Sequence, residues 1–346
     1  MTLAVASMVI ALAGLAAYAV LAGADFGAGL WDLTAGGAER GGRVRGMVQR
    51  SMSPVWEANH VWLILVIVVL WTAFPVAFGS IFSTLYIPLF GAAIGIIFRG
   101  SAFALRGQAA TIGEARVLGA AFALTSLLVP FFLGTALGGI ASGRVPVGNA
   151  TGDAWSSWLN PTSLTVGVLA VLTGAYLAAV YMASDSVRAG LPDMQRAFRS
   201  RALGAGALTG VVAIGALPVL ASDAPDLYDG LKGGMGLVCV IGSGVFGAGT
   251  LALVWRSRFG AARFTAAAAV TAVVTGWGAA QSPDLLPGQL TLEQAAAGDG
   301  TLIAFLASLA VGALVLVPSL VYLYRLVLRG TLDQDYEPLD QRFKPE

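Results

Sequence analysis

The chain has 346 residues, of which 57% are hydrophobic and only 11% are charged, with a formal net charge of +1. Soluble domains carry about 25% charged residues, so this composition excludes a water-soluble fold and predicts an integral membrane protein. The balanced charge excludes a strongly basic nucleic-acid-binding protein. The single cysteine, Cys239, excludes an internal disulfide and any cysteine-based metal cluster.

Nine apolar stretches approach or exceed the roughly 20 residues that cross a hydrocarbon core of about 30 Å. In chain order they are 2–32, 53–73, 77–106, 116–141, 160–185, 198–221, 232–255, 262–281 and 301–328. The first has no basic residue ahead of an apolar run that exceeds the about 7–15 residues of a signal-peptide core, so we interpret it as a retained helix. In the second, Ser53 and Pro54 suit a helix cap and a first helical residue. The pattern predicts an all-α protein with nine transmembrane helices.

The basic residues indicate how the chain is oriented, because Lys and Arg are retained on the cytoplasmic side of the membrane. The connections after spans 1, 3, 5 and 7, together with the C-terminal end, hold all but three of the 20 basic residues. Arg144 and Lys232 lie on the opposite side, and Arg99 lies inside a span. We predict a multi-pass membrane protein with its N-terminus outside and a cytoplasmic tail over 331–346.

Three ionisable residues fall inside the first three spans, where each charge costs on the order of 3 kcal/mol. By residue count, Asp25 and Arg99 lie about 10 Å, and Glu57 about 6 Å, from the cytoplasmic end of their helices. Short connections make consecutive helices neighbours. We therefore predict that Asp25, Glu57 and Arg99 form one polar cluster.

Two interpretations of this cluster stay open. Arg99 favours the charged form of both carboxylates, whereas burial and mutual repulsion favour protonation of one of them, so a carboxylate there can act as a proton relay. The same residues can equally form a permanent structural bridge. Trp56, Asn59 and His60 extend the polar patch along span 2. We predict that His60 is a hydrogen-bonded residue beside Trp56 and Trp62 rather than a ligand.

The residues give little support for a metal or redox centre inside this chain. Glu57 and His60 have the Glu-x-x-His spacing of di-iron bundles, but such a site requires a second histidine, and His60 is the only one. Bis-histidine haem ligation fails for the same reason, which leaves single-histidine ligation as a weak alternative. The G-x-G-x-x-G pattern over 242–247 lies inside an apolar span, so we interpret it as close helix packing by small residues.

Five short motifs are distributed along the chain. They are 23–29 (GADFGAG), 54–63 (PVWEANHVWL), 98–100 (FRG) with Arg106, 282–284 (SPD) with 290–291 (LT), and 318–320 (PSL). Together with the nine-span plan, they resemble subunit II of the cytochrome bd quinol oxidases over essentially the whole chain. Members of that family have Asp or Glu at the position of Glu57, and His60 stands where others have a different polar residue.

The resemblance implies two four-helix bundles, over 1–141 and 160–281, and a peripheral ninth helix over 301–328. It implies a complex in the bacterial plasma (inner) membrane that oxidises membrane quinol and reduces dioxygen to water, electrogenically, with protons taken from the cytoplasm. Haems b558, b595 and d then belong to the partner, subunit I, in a heterodimer, and none is covalently attached to this chain. Some members hold a structural quinone or add a small single-span subunit, and lipids surround the complex.

The resemblance also implies roles for the residues in the cluster. Asp25 and Glu57 correspond to proton-pathway carboxylates, and the supporting residues are Arg99, Asn59, His60 and Trp56. A proton-coupled secondary transporter is the alternative, although transporter sites usually lie near the midplane and these charges are off-centre. A third hypothesis is a scaffold whose buried charges only hold helices together.

Overall fold

The chain folds into helices almost throughout. In this computed structural model, residues 2–52, 56–106 and 108–329 are described. The helices are α1 (Leu3–Leu33), α2 (Ala38–Met52), α3 (Trp56–Asn59), α4 (Val61–Ala73), α5 (Pro75–Thr84), α6 (Tyr86–Arg106), α7 (Ile112–Ala141), α8 (Pro161–Arg188), α9 (Pro192–Asp223), α10 (Pro225–Leu231), α11 (Gly234–Trp255), α12 (Phe259–Gln281), α13 (Leu292–Ala295) and α14 (Asp299–Leu328). Strands β1 (Asp284–Leu286) and β2 (Leu290–Thr291) form an antiparallel hairpin.

Nine helical spans among the described residues are long and apolar enough to cross a membrane. They are α1, α3 with α4, α6, α7, α8, α9, α11, α12 and α14. The prediction of an all-α membrane protein with nine spans is therefore confirmed. Ser53, Pro54 and the tail over 331–346 lie outside the described residues.

The third predicted span, 77–106, is divided in the structure. Helix α5 ends at Thr84 and α6 begins at Tyr86. Pro88 explains the break, because it has no N–H for the carbonyl of Thr84 and its ring crowds that carbonyl. Only α6 is long enough to be the membrane span.

Helix α2 was not predicted, since its sequence is too short and too charged to cross a membrane. Val44, Met47 and Val48 are buried along one face, while the Arg43 side chain is exposed and pairs with Asp193. This spacing is typical of an amphipathic helix. The connection between spans 1 and 2 therefore packs against the bundle rather than forming an open loop.

The interpretation of the 242–247 pattern as close packing is wrong within this chain. The pattern lies inside α11, but a Cβ placed on Gly242, Gly244 or Gly247 meets no heavy atom of the described residues within 4 Å. Helix α11 packs mainly on α12 and α9. A side chain at any of the three positions would point into open space, so these glycines serve no close packing among the described helices.

Helix α8 joins the two halves of the chain. It packs on α1 and α7 on one side and on α9 and α12 on the other, while α14 makes smaller contacts with α1 and α4. The closest approach is at Gly27 of α1, where an added Cβ would overlap the backbone of Gly174 and Ala175 in α8. The bundle boundaries at 1–141 and 160–281, with a separate helix over 301–328, stay a prediction.

Gly27→Ala should destabilise the protein by about 1–3 kcal/mol, the usual cost of overpacking. The obstructing atoms are backbone, so α1 and α8 would have to separate. Gly210→Ala is the matched control, because its Cβ meets nothing within 4 Å among the described residues. Thermal unfolding of the purified protein measures both. Equal midpoints for the two variants would contradict the assignment of this contact.

Candidate functional site

Asp25 is a buried carboxylate on α1, with 8% of its surface exposed. Two residues later, Gly27 touches the backbone of α8, and at Gly29 the Ser126 side chain of α7 fills the space of a Cβ. These small residues let α7 and α8 close tightly over α1 at this level. A carboxylate enclosed in this way requires hydrogen-bond donors from the protein.

Asn59 is the donor that faces Asp25. It is buried, with 2% of its surface exposed, and its Nδ2 donates a 2.5 Å hydrogen bond to Oδ2 of Asp25. Its Oδ1 accepts a 2.7 Å hydrogen bond from the hydroxyl of Tyr324. Asp25, Asn59 and Tyr324 therefore form one hydrogen-bonded chain across α1, α3 and α14, which we call the Asp25 chain.

Arg99 lies beside this chain with 2% of its surface exposed. Its Nη2 donates to the backbone carbonyl of Asp25 at 3.1 Å, and its Nε donates to the Ser126 hydroxyl at 3.1 Å. The guanidinium carbon is 4.8 Å from the ring centroid of Phe26 and 5.2 Å from that of Phe122. The cation is thus held by a carbonyl, a hydroxyl and two aromatic faces, close to the carboxylate without bonding to it.

Glu57 differs from its predicted position, because its side chain is exposed on the surface of the chain. Helix geometry explains the difference. Two residues along a helix correspond to a rotation of about 200°, and Asn59 occupies the inward side. Among the described residues, Glu57 therefore does not join Asp25 and Arg99 in the predicted polar cluster, and a structural bridge of all three is not formed.

Trp56 and His60 pack in an aromatic layer beside the Asp25 chain. The half-buried Trp56 ring lies 5.6 Å from the Phe103 ring and 6.3 Å from the His60 ring. His60 Nδ1 is 3.5 Å from the Tyr18 hydroxyl, at the long limit of a hydrogen bond. His60 and Trp56 therefore shield the neighbourhood of Asp25 with aromatic surface.

A layer of ion pairs lies two helical turns beyond Asp25, where α1, α6 and α8 end. We call it the basic end. Asp32 accepts from Arg45 at 3.0 Å and from Arg106 at 2.5 Å, and its side chain is 4% exposed. Asp185, at the corresponding end of α8, pairs with Arg263 at 2.8 Å and with Arg188 at 3.6 Å. Arg106, a residue of the sequence motif, thus ties α6 to α1.

Sequence reasoning missed Tyr324. It lies 265 positions from Asn59, and a tyrosine near the end of a span is usually an interfacial anchor, so no local signal connected the two. The role of Ser126 as an Arg99 partner was missed for the same reason. In the part of the chain that the structure describes, no group of three or more His, Cys, Asp or Glu residues could hold a metal ion.

The family model for cytochrome bd terminal oxidase subunit II matches residues 3–327. The chain belongs to this family. The predicted resemblance to subunit II of the cytochrome bd quinol oxidases is thereby confirmed across the chain. Cytochrome bd oxidases are respiratory oxidoreductases, so the chain is a membrane-spanning component of that class.

Two relatives from Bacillus subtilis (strain 168) show the same likeness at lower coverage. A cytochrome bd ubiquinol oxidase subunit 2 is 32% identical over 114 residues, which is 33% of this chain and 33% of the relative. A protein named as a cytochrome bd menaquinol oxidase subunit II is 26% identical over 219 residues, 62% of this chain and 61% of the relative. The matched segments thus span about a third and about three-fifths of these two relatives.

A solved structure extends the likeness to the whole fold. A chain of the bd oxidase from Geobacillus thermodenitrificans superposes with a TM-score of 0.73 at 26% identity, covering 95% of this chain and 99% of that one. The nine-span architecture is therefore that of a cytochrome bd oxidase chain.

Proposed function

We propose that this chain is subunit II of a complex that oxidises quinol and reduces dioxygen to water, and that it delivers protons to that reaction. The observation that carries the proposal is the buried Asp25 carboxylate, hydrogen bonded to Asn59 beside the buried cation Arg99. The relatives are named for two different quinols. The substrate class is therefore a membrane quinol.

Asp25 has the surroundings of a group that can hold and release a proton. Burial favours the neutral acid, whereas the nearby charge of Arg99 and the donated hydrogen bond of Asn59 favour the carboxylate. Because Arg99 bonds to the backbone carbonyl of Asp25, the Asp25 carboxylate is not locked in an ion pair with it. Opposing effects of this kind allow both protonation states during turnover.

The exposed position of Glu57 indicates where subunit I binds and where the proton route begins. It is exposed, as are Ile64, Val68 and Trp71 further along the same span. A charge on a lipid-facing surface costs on the order of 3 kcal/mol, and a polar protein surface removes that cost. We therefore place subunit I against this face, with Glu57 at the boundary and Asp25 further inside.

The electron carriers are assigned to subunit I. This chain contains one histidine and one cysteine, and the His60 ring is packed against Tyr18, Phe26 and Trp56. That donor set does not fit several haems, which agrees with the division that the family resemblance implies, in which haems b558, b595 and d would be held by the partner and would supply the electron transfer and oxygen chemistry. The structural quinone, the small accessory subunit and bound lipids stay predictions.

Arginine at the basic end supports an orientation with that end in the cytoplasm, because basic residues are retained there. The N-terminus is then outside and the C-terminus inside. Protons taken up at the basic end move part of the way across the membrane toward the reaction, which makes it electrogenic. The proton-coupled transporter has no comparable support, and purification distinguishes the two, since the oxidase should retain a larger haem-bearing chain.

Glu57→Gln should slow oxygen reduction by about 5-fold, less than the about 10²–10⁴ contributed by a positioned proton-transfer group, because Glu57 lies at the edge of the proposed interface, where water can also supply protons. Oxygen consumption by the haem-bearing complex measures the effect. Glu114→Gln is the matched control, since Glu114 is also exposed and lies at the basic end in the first turn of α7. Wild-type turnover in Glu57→Gln would contradict its place on the route.

A further inference from the structure

We infer that Tyr324 of α14 is a positioning residue that fixes the amide of Asn59 and thereby sets how Asp25 holds its proton. The inference rests on the proposed function only for the role of that proton in oxygen reduction. The contacts themselves do not depend on it.

Tyr324 is an exception on a helix that is otherwise mostly exposed. Val311, Leu314 and Val315 are exposed along α14, and the neighbouring Tyr322 is 66% exposed. Tyr324 instead is half-buried, and its hydroxyl donates a 2.7 Å hydrogen bond to Oδ1 of the buried Asn59. The Tyr324 hydroxyl of α14 therefore lies inside the bundle and contacts Asn59, the residue that donates to Asp25.

The chemistry of the amide connects Tyr324 to Asp25. Asn59 has one side that only accepts and one side that only donates, and an ionised carboxylate only accepts. When the Tyr324 hydroxyl donates to Oδ1, the amide must present Nδ2 to Asp25, as observed. By donating to Oδ1, Tyr324 thus stabilises the amide orientation that an ionised carboxylate requires.

The hydrogen bonds of the Asp25 chain are strengthened by the negative charge of the Asp25 carboxylate. Hydrogen bonds that terminate on an anion are stronger than neutral ones, and successive bonds polarise one another. The Tyr324 hydrogen bond is therefore worth more when Asp25 is ionised than when it is protonated. Loss of the hydroxyl should make Asp25 hold its proton to a higher pH.

Other groups around Asp25 contribute the same background to wild type and variants. The titratable and charged groups near it are Tyr18 on α1, Arg99 on α6, Tyr181 on α8 and Tyr324 on α14, and His60 packs on the ring of the adjacent Phe26. Only Tyr324 reaches it through Asn59. A change confined to the Tyr324 hydroxyl therefore isolates the contribution of this path.

The test compares Tyr324→Phe with Tyr322→Phe in the full complex. Both variants lose one hydroxyl, from tyrosines two residues apart, one bonded to Asn59 and the other exposed. Infrared difference spectra follow the carboxylic acid band of Asp25, identified by its loss in Asp25→Asn. We expect Tyr324→Phe to move the midpoint of that band upward by about 0.5–1 pH unit, the equivalent of one hydrogen bond. Tyr322→Phe should leave it at the wild-type pH.

A double-mutant cycle tests whether the effect passes through Asn59. In an Asn59→Ala background, Tyr324→Phe should have no further effect on the Asp25 band. An unchanged midpoint in Tyr324→Phe, or an additive effect in the double variant, would overturn the inference. Failure of Tyr324→Phe to assemble while Tyr322→Phe assembles would also overturn it, because a structural role would then suffice.

The same data separate this inference from the proposed function. If Asp25→Asn retains turnover while Tyr324→Phe still moves the Asp25 band, the positioning role stands and proton delivery through Asp25 fails. If the band does not move, the positioning role fails whatever the turnover of Asp25→Asn. Oxygen consumption and infrared midpoints are therefore measured on the same preparations.

Discussion

Asp25→Asn should reduce oxygen reduction by the assembled complex at least about 100-fold, the lower end of the contribution of a positioned proton-transfer group. The substitution keeps the size of the side chain but removes its ability to exchange a proton. Because Asp25 is buried and hydrogen bonded to Asn59, solvent does not readily replace it. Oxygen consumption per haem, measured on complex with an unchanged haem spectrum, gives the effect.

Asp226→Asn is the control for this prediction, because Asp226 is exposed near the opposite end of the bundle. Its turnover should equal that of wild type. A complex with Asp25→Asn that assembles poorly, but turns over normally once assembled, would support the scaffold hypothesis and contradict proton delivery. Turnover and assembly therefore have to be reported separately.

Arg99→Gln should prevent the accumulation of a stable complex. The guanidinium is buried between Phe26 and Phe122 and bonded to Ser126 and the Asp25 carbonyl. Its loss removes both hydrogen bonds and the cation beside Asp25, and breaking a buried charge arrangement costs about 3–5 kcal/mol. The yield of haem-bearing complex and its thermal midpoint measure the loss.

Arg116→Gln is the matched control, since Arg116 is exposed in the first turns of α7. Arg99→Lys should not rescue the complex, because an ammonium cannot reproduce the stacked, forked geometry of a guanidinium. Wild-type yield and melting temperature in Arg99→Gln would show that the buried cation is dispensable. That result would contradict its structural role.

The spans were predictable because crossing a membrane imposes a length and an apolar composition on each helix. The meeting of Asp25 and Arg99 was also predicted, from equal depths on helices joined by short connections. In the structure, α1 and α6 each pack on a common neighbour, α7. The orientation of Glu57 did not follow. Counting residues gives the depth of a residue in the membrane but not the side of the helix on which it lies. Asn59, and not Glu57, lies on the side that faces the bundle.

Tyr324 could not be found from sequence for a different reason. Its contact with Asn59 depends on where α14 docks, and that position is set by packing between parts of the chain far apart in sequence. Helix α2 was missed because its apolar face consists of only three buried hydrophobic residues and its charge content is typical of a loop. The first omission thus concerns a tertiary contact, and the second concerns a weak local pattern.

Proton uptake by the pre-reduced complex tests the central claim most directly. Wild-type and Asp25→Asn complexes are mixed with dioxygen, and a pH indicator and the haem absorbance are followed in the same sample. We expect wild type to take up protons as dioxygen is reduced, and Asp25→Asn to take them up at least about 100-fold more slowly. Uptake at the wild-type rate in Asp25→Asn would contradict proton delivery through this chain.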